Sequence, residues 1–145
     1  MKKIMFALLA MVLCVNANAF KFDGIDLNAN QNQIAAEISK KGYVYDAGLG
    51  CLKGVCQGTE IFLNLDYKNV STNGKVGQLT VDIPMNAPAT AFINATQLFN
   101  VIYHLTGSSA EGNTYQVDED GTTLTLSQTS QGLRLNYKTP YFKQK

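Results

Sequence analysis

Two stretches of this chain alternate between apolar and polar side chains, and this alternation constrains the fold more than any other feature. Apolar residues occupy the odd positions from 61 to 67 in the stretch 59–68, and positions 79, 81 and 83 in the stretch 75–83. Alternation with a period of two predicts strands that bury one face and leave the other polar. The buried face needs a second layer that covers it.

Two other stretches, 28–41 and 87–106, carry apolar side chains at helical spacing and can supply that layer. Asn28 or Asn30 can cap the first helix, and Gly42 can end it. Short strands are predicted in the remaining sequence at 43–46, 52–56, 114–118, 122–128 and 133–138. The fold class is therefore α+β, an antiparallel sheet of six to seven strands with two helices packed on one face.

The predicted elements fall into two units, 28–84 and 87–138, and each unit is a helix followed by strands. We write this expected pseudo-repeat as α-βββ-α-βββ. Both units belong to a single α+β domain at 20–139, which is followed by a loose tail at 140–145. The face of the sheet opposite the helices is expected to be open and polar.

Residues 1–19 have the pattern of a secretory signal peptide. Two lysines precede an apolar run at 4–15, and a small-residue site ends at Ala19, which predicts cleavage before Phe20. The run is shorter than the roughly 20 residues that span a bilayer. Leu13 stands before Cys14, where lipid attachment requires a small residue. We therefore expect a periplasmic or secreted protein without a membrane span once the signal is removed.

The charge and composition exclude several classes of function. The formal net charge is +1, and Arg134 is the only arginine, so the basic patch of a nucleic-acid-binding protein is missing. One histidine and two cysteines outside the signal do not complete a structural zinc site. The sequence therefore predicts no metal, no cofactor and no nucleic-acid partner.

Cys51 and Cys56 form a candidate disulfide in the sequence Cys-Leu-Lys-Gly-Val-Cys. A turn at positions 53–54 would set them opposite each other in a hairpin, within the Cα separation of about 7 Å that a disulfide allows. A turn at positions 57–58 would leave one strand, with the two Cα atoms about 16 Å apart and both thiols free. The sequence leaves both alternatives open.

A set of glycine and apolar positions carries a resemblance to a known group of proteins. These positions include Phe22, Gly24, Leu27, Lys41, Gly42, Tyr43, Leu52, Gly54 and Gly58. In this pattern the chain resembles small exported proteins of gut-type Bacteroidetes. Their duplicated helix-plus-sheet layout is similar to that of the β-lactamase inhibitor protein and, more distantly, to the outer-membrane assembly lipoprotein of the SmpA type. The inhibitor protein grips an enzyme with its open sheet face, so the resemblance implies protein binding and no catalytic residue.

Three residues are candidates for a small exported hydrolase: Asp66, Asp82 and His104. Two acids that face one cleft could hydrolyse glycosides, and the histidine could act as a base. Both aspartates are instead predicted on a solvated sheet face with cations nearby and no apolar pocket beside them. His104 is predicted near the end of the second helix, where it interacts favourably with the helix dipole.

The open polar face of the sheet is the candidate binding site, with Phe62 as its aromatic anchor. The predicted binding residues are Phe62, Asn64, Asp66, Lys68, Thr80, Asp82, Thr125, Arg134 and Lys138. The first hypothesis is a non-enzymatic, inhibitor-like module that uses this face to engage a protein partner. The alternatives are the hydrolase and an envelope assembly or structural factor. A symmetric homodimer that covers the face is left open.

Overall fold

The computed structural model describes residues 15–16, 21–22, 24–26, 29–56, 58–67, 75–117 and 121–143. These residues form two helices, α1 (Gln31–Lys40) and α2 (Pro88–Ile102), and a 3-10 helix at Pro140–Lys143. The strands are β1 (Val15–Asn16), β2 (Lys21–Phe22), β3 (Ile25–Asp26), β4 (Val44–Asp46), β5 (Cys51–Cys56), β6 (Thr59–Tyr67), β7 (Val76–Pro84), β8 (His104–Ser109), β9 (Gly112–Gln116), β10 (Thr123–Gln128) and β11 (Gly132–Lys138).

The main sheet is antiparallel and has the strand order β4-β5-β6-β7-β11-β10-β9-β8. Helix α1 precedes the strands β4 to β7, and α2 precedes β8 to β11, so the two runs of strands meet where β7 pairs with β11. The α+β class, the antiparallel sheet and the two helices are thereby confirmed. The strand count differs from the expected six to seven, because the sheet has eight strands and four of them follow each helix.

One hydrophobic cluster lies between the helices and the sheet. Leu63, Val81, Leu135 and Leu126 are aligned across four neighbouring strands, and all four are buried. The helices add to the same cluster the buried residues Ile34, Ile38, Ala91, Ala95 and Phe99. Both helices therefore cover the same face of the sheet. Burial of each large aliphatic side chain stabilises the fold by about 1.5–3 kcal/mol before conformational entropy is subtracted.

The second helix ends earlier than its apolar spacing predicts. It stops at Ile102, because Tyr103 adopts an extended backbone with φ −124° and ψ 163°. The ring of Tyr103 packs edge-on against Phe99, with 5.5 Å between the ring centroids. Residues 104–109 then form β8, which pairs with β9 at the edge of the sheet. The expectation that places His104 near the helix end is wrong, since strand pairing here overrides a helical spacing that continues to Leu105.

Of the two alternatives for Cys51 and Cys56, the structure shows the one in which these cysteines are not bonded to each other. β5 runs without interruption between these two residues, and the chain turns at Gly58, which has a φ of 80°. Cys51 carries a free thiol, so the two cysteines are not bonded to each other. The chain therefore turns after Cys56 and not at positions 53–54, because only the later turn pairs Leu52 with Leu63 on the buried face.

The predicted cleavage site, Ala19 and Phe20, lies outside the described residues, as does most of the predicted signal segment. The described part of that segment, Val15–Asn16, pairs with Lys21–Phe22. Among the described residues, no helix is both long enough and apolar enough to cross a bilayer.

Candidate binding face

Alternate residues of the main sheet point away from the helices and form what we call the open face. The cross-strand register places Phe62 beside Asp82, and Asp82 beside Arg134. A neighbouring row consists of Asn64, Thr80, Asn136, Thr125 and Thr114. The predicted binding residues are all on this face except Lys68, which lies outside the described residues.

An ion pair crosses the open face between its two central strands. The Nε atom of Arg134 donates to Oδ1 of Asp82 at 2.7 Å, and its Nη2 atom donates to Oδ2 at 3.2 Å. The hydrogen bond to Asp82 raises the pKa of Arg134, and partial desolvation offsets part of that rise. Because both side chains are substantially exposed, the pair contributes only about 0–1 kcal/mol to stability. For the binding of a partner, the pair matters because it holds the planar guanidinium of Arg134 in place on an accessible surface.

The polar row beside the ion pair is hydrogen-bonded within itself. The amide Nδ2 of Asn136 donates to Oγ1 of Thr80 at 3.0 Å. The hydroxyls of Thr114 and Thr125 share a hydrogen bond of 3.0 Å. These side chains satisfy one another, so this part of the face offers a flat polar surface with fewer unsatisfied groups for a ligand.

Lys138, at the far end of the open face, also contacts another side chain. The ammonium Nζ of Lys138 lies 4.8 Å from the centroid of the Phe142 ring, which belongs to the C-terminal 3-10 helix. This distance is typical of a cation–π contact, which is worth about 0.5–1 kcal/mol at an exposed site. The tail predicted at 140–145 thus contributes an aromatic ring beside Lys138.

A cleft of about 330 Å³ lies at the Phe62 end of the open face. We call it the Phe62 cleft. Its lining combines the ion pair with apolar side chains and with a hairpin loop, namely Leu49, Cys51, Phe62, Asp82, Ile83, Pro84, Thr129, Ser130, Gln131, Gly132, Leu133 and Arg134. Phenylalanine and arginine are both enriched in protein interfaces relative to the rest of the surface.

Sequence reasoning misses one wall of this cleft and one residue of the open face beside it. The loop at 129–132 is recognisable as a turn, but its position beside Phe62 depends on the pairing of β11 with β7. The hydroxyl of Thr129 accepts from the backbone N–H of Gly132 at 3.0 Å and so orders the loop. Lys53 is the cross-strand neighbour of Phe62 and forms an ion pair of 3.8 Å with Glu60. Only the register of β5 against β6 identifies Lys53 as part of the face.

The free thiol of Cys51 lines the cleft but is poorly suited to nucleophilic chemistry. Burial raises its pKa, and the negative charges of Asp46 and Asp82 raise it further. A nucleophilic cysteine needs the opposite environment, with a cation or helix N-terminus that stabilises the thiolate. The raised pKa therefore favours the protonated thiol in this wall of the cleft.

The three candidate hydrolase residues do not meet. Asp66 and His104 occupy equivalent register positions on β6 and β8, which are five strand spacings apart, or about 24 Å. Asp82 is paired with Arg134. Asp66 pairs with Gln78, which is four residues from Asp82 on β7, so the two aspartates are offset by about 13 Å along the strands. A two-carboxylate mechanism needs two acids about 5–10 Å apart across one cleft, and these aspartates do not supply that geometry.

No group of three or more His, Cys, Asp or Glu side chains within the described part of the chain is arranged to hold a metal ion. No protein-family model, no curated protein and no solved structure matches this chain.

Proposed function

We propose that this chain is an exported, non-enzymatic binding module that engages a protein partner through the Phe62 cleft and the adjoining open face. The observation that carries the proposal is the position of Phe62, which stands half-buried on the open face beside the Asp82–Arg134 pair. A large aromatic side chain on the solvent side of a sheet has no role in the core. Aromatic and arginine side chains dominate binding energy when a partner excludes water from them.

The export and the inhibitor-like mode of binding belong to the same proposal. Export to the periplasm or the medium rests on the signal-like pattern of residues 1–19. The relation to the β-lactamase inhibitor protein rests on the resemblance of this chain to small exported proteins whose helix-plus-sheet layout is similar to that of the inhibitor. It is supported by the element order, in which each helix is followed by a four-stranded antiparallel run. An enzyme is one class of partner that this relation suggests.

The test is capture of a partner from envelope and culture fractions by the wild-type chain, followed by affinity measurements with two variants. Phe62→Ala should weaken binding by about 30-fold or more, which corresponds to about 2 kcal/mol. Tyr45→Ala is the matched control, since Tyr45 is an exposed aromatic residue whose pairing with Leu52 places it on the other side of the sheet. Tyr45→Ala should change the affinity by less than about fivefold.

Two results would contradict the proposal. One is a captured partner that binds Phe62→Ala as tightly as the wild type. The other is turnover of a glycan or peptide panel by the purified chain, lost in Asp66→Asn or Asp82→Asn, which would favour the hydrolase instead.

A further inference from the structure

A second surface of the molecule is distinguished by the absence of charge. The segment from Pro84 to Ala110 contains no Asp, Glu, Lys or Arg, although these residues make up 16% of the chain. This segment forms α2 and the edge strand β8, which lie next to each other and are both partly exposed. Charged side chains are depleted from the centres of protein interfaces and are otherwise common on surfaces.

The two helices of the protein show that the fold does not require this neutrality. α1 has a side-chain cap from Asn30, and on its surface Glu37 and Lys40 form an ion pair of 3.6 Å. α2 has Ala87 as an uncapped N-cap residue, no acidic residue in its first turn and no basic residue in its last. Charges at these positions would stabilise a helix through its dipole. α1 likewise has no acidic residue in its first turn, but it has Lys40 in its last. α2 has charge at neither end, which points to a surface kept free of charge.

The same surface exposes large apolar side chains. Val101 is 83% exposed and Leu105 is 44% exposed, and Ile102 between them is also exposed. Ile93, which precedes Val101 by about two helical turns on α2, is 57% exposed. Single exposed apolar residues are ordinary, but a run of them around a helix end and an adjoining strand is typical of an interaction site.

The edge strand beside these residues has unpaired backbone groups. Within the described sheet, β8 pairs with β9 on one side only, and all six of its residues are exposed. Natural edge strands are commonly protected by lysine, by proline, by inward-pointing charges or by bulges. β8 has none of the first three, and its pairing with β9 has one register shift, between Leu105 and Gly107. The opposite edge strand, β4, has three residues and ends in Asp46. Of the two edges, β8 is the one able to pair with another strand.

We propose that a second copy of this chain covers this surface, with the two β8 strands antiparallel across a twofold axis. A twofold contact brings each residue close to a copy of its own neighbours, so a patch with charges of one sign would be repelled by itself. The surface of α2 and β8 has no Asp, Glu, Lys or Arg, so two copies of it can meet without this repulsion. Val101, Ile102 and Leu105 of both copies then bury one another beside the paired edges. This interface leaves the Phe62 cleft, at the other end of the sheet, free.

The experiment measures the mass of the full-length chain in solution by light scattering over a range of concentrations. The wild type should have twice the mass of one chain and should dissociate on dilution. Val101→Glu should weaken the dimer by at least about tenfold, because the interface would bury an unpaired carboxylate. Val44→Glu is the matched control, since Val44 is 67% exposed on the opposite edge strand, and it should leave the dimer unchanged.

A second measurement needs no variant. Amide hydrogen exchange of residues 104–109 in the wild type should slow as the protein concentration rises, because pairing protects these amides. A wild type that stays monomeric at the highest concentration, or a dimer as stable in Val101→Glu as in the wild type, would overturn the proposal. So would a monomer that binds vesicles of phosphatidylethanolamine and phosphatidylglycerol and loses that binding in Val101→Glu, since a lipid surface would then be the occupant.

Discussion

At the scale of single residues, two adjacent residues of one strand can have opposite surroundings. Cys51 lies on the open face and lines the Phe62 cleft, whereas Leu52 packs against the hydrophobic cluster. Gly54, on the buried side of the same strand, lacks a side chain because the ring of Tyr43 occupies the space where a Cβ atom would stand. The period of two in a strand decides which chemistry each position can have.

The pKa of Cys51 leads to a prediction about its reactivity. A raised pKa means that less thiolate is present at any pH below that pKa, so iodoacetamide should alkylate Cys51 more slowly near pH 8 than it alkylates an unstructured cysteine. Asp46→Asn should increase the rate by roughly twofold, because it removes one of the charges that raise the pKa. Mass spectrometry of the peptide that contains Cys51 measures the rate.

The matched control for this reactivity is Asp66→Asn, which removes a carboxylate of the same face without being among the charges that raise the pKa of Cys51. It should leave the alkylation rate unchanged. Equal rates in Asp46→Asn and the wild type would show that the charge of Asp46 has no effect on the thiol.

At the scale of elements, the first helix follows its local sequence closely. The side chain of Asn30 accepts a hydrogen bond from the backbone N–H of Gln33 at 3.1 Å, which satisfies one of the donors at the helix start. Asn30 was one of two predicted caps, and the helix begins directly after it. Such local hydrogen bonds depend on residues three positions apart, so a sequence can specify them without any tertiary contact.

Replacement of this cap should destabilise the protein by a measurable amount. We expect Asn30→Ala to lower the free energy of unfolding by about 0.5–2 kcal/mol, because a backbone donor of the first turn loses its partner. Asn32→Ala, an exposed position inside α1, is the control and should be neutral or slightly stabilising, since alanine has the higher helix propensity. Urea denaturation of both variants checks the prediction. Equal destabilisation by the two would exclude capping as the cause.

The strand β8 shows the limit of element-scale reasoning. Its sequence, His-Leu-Thr-Gly-Ser-Ser, has no β-strand alternation, and Leu105 continues the apolar spacing of α2. The strand exists because β9 pairs with it, and because Tyr103 turns the chain out of the helix. A segment with weak local preference takes the structure that its neighbours impose.

At the scale of the whole molecule, one core joins both runs of strands. β7 and β11 are the central strands, and the buried residues on both sides of this pair belong to a single cluster that both helices cover. The protein should therefore unfold as one cooperative unit, although its elements occur in two sequential sets along the chain.

Leu135 tests this cooperativity. It is buried on β11, where it pairs with Val81 of β7. Leu135→Ala should lower the free energy of unfolding by about 2–5 kcal/mol, because it leaves a cavity at the centre of the core. Transitions followed by far-ultraviolet circular dichroism and by tyrosine fluorescence should remain coincident. Leu49→Ala, at an exposed position, should cost less than about 0.5 kcal/mol. Separate transitions for the two probes in Leu135→Ala would contradict a single core.

The candidate site was predictable in part. The face to which Phe62, Asp66 and Arg134 belong follows from alternation within single strands, which needs no knowledge of strand order. The contact between Asp82 and Arg134 did not follow, because these residues are far apart in sequence and meet only through the pairing of β7 with β11. The cleft was not predictable either, since its walls come from β5, β6, β7, β11 and the loop at 129–132.

The sequence by itself determined the periodic features of this protein: which stretches are helical, which faces of the strands are apolar, and that an asparagine at position 28 or 30 caps the first helix. These depend on residues two to four positions apart. The tertiary structure alone decided the strand order, the end of α2 at Ile102, the free state of Cys51 and the juxtaposition of Phe62 with the ion pair. The physical reason is that each of these depends on pairing between distant strands, and local side-chain spacing carries no information about which strand will be the neighbour.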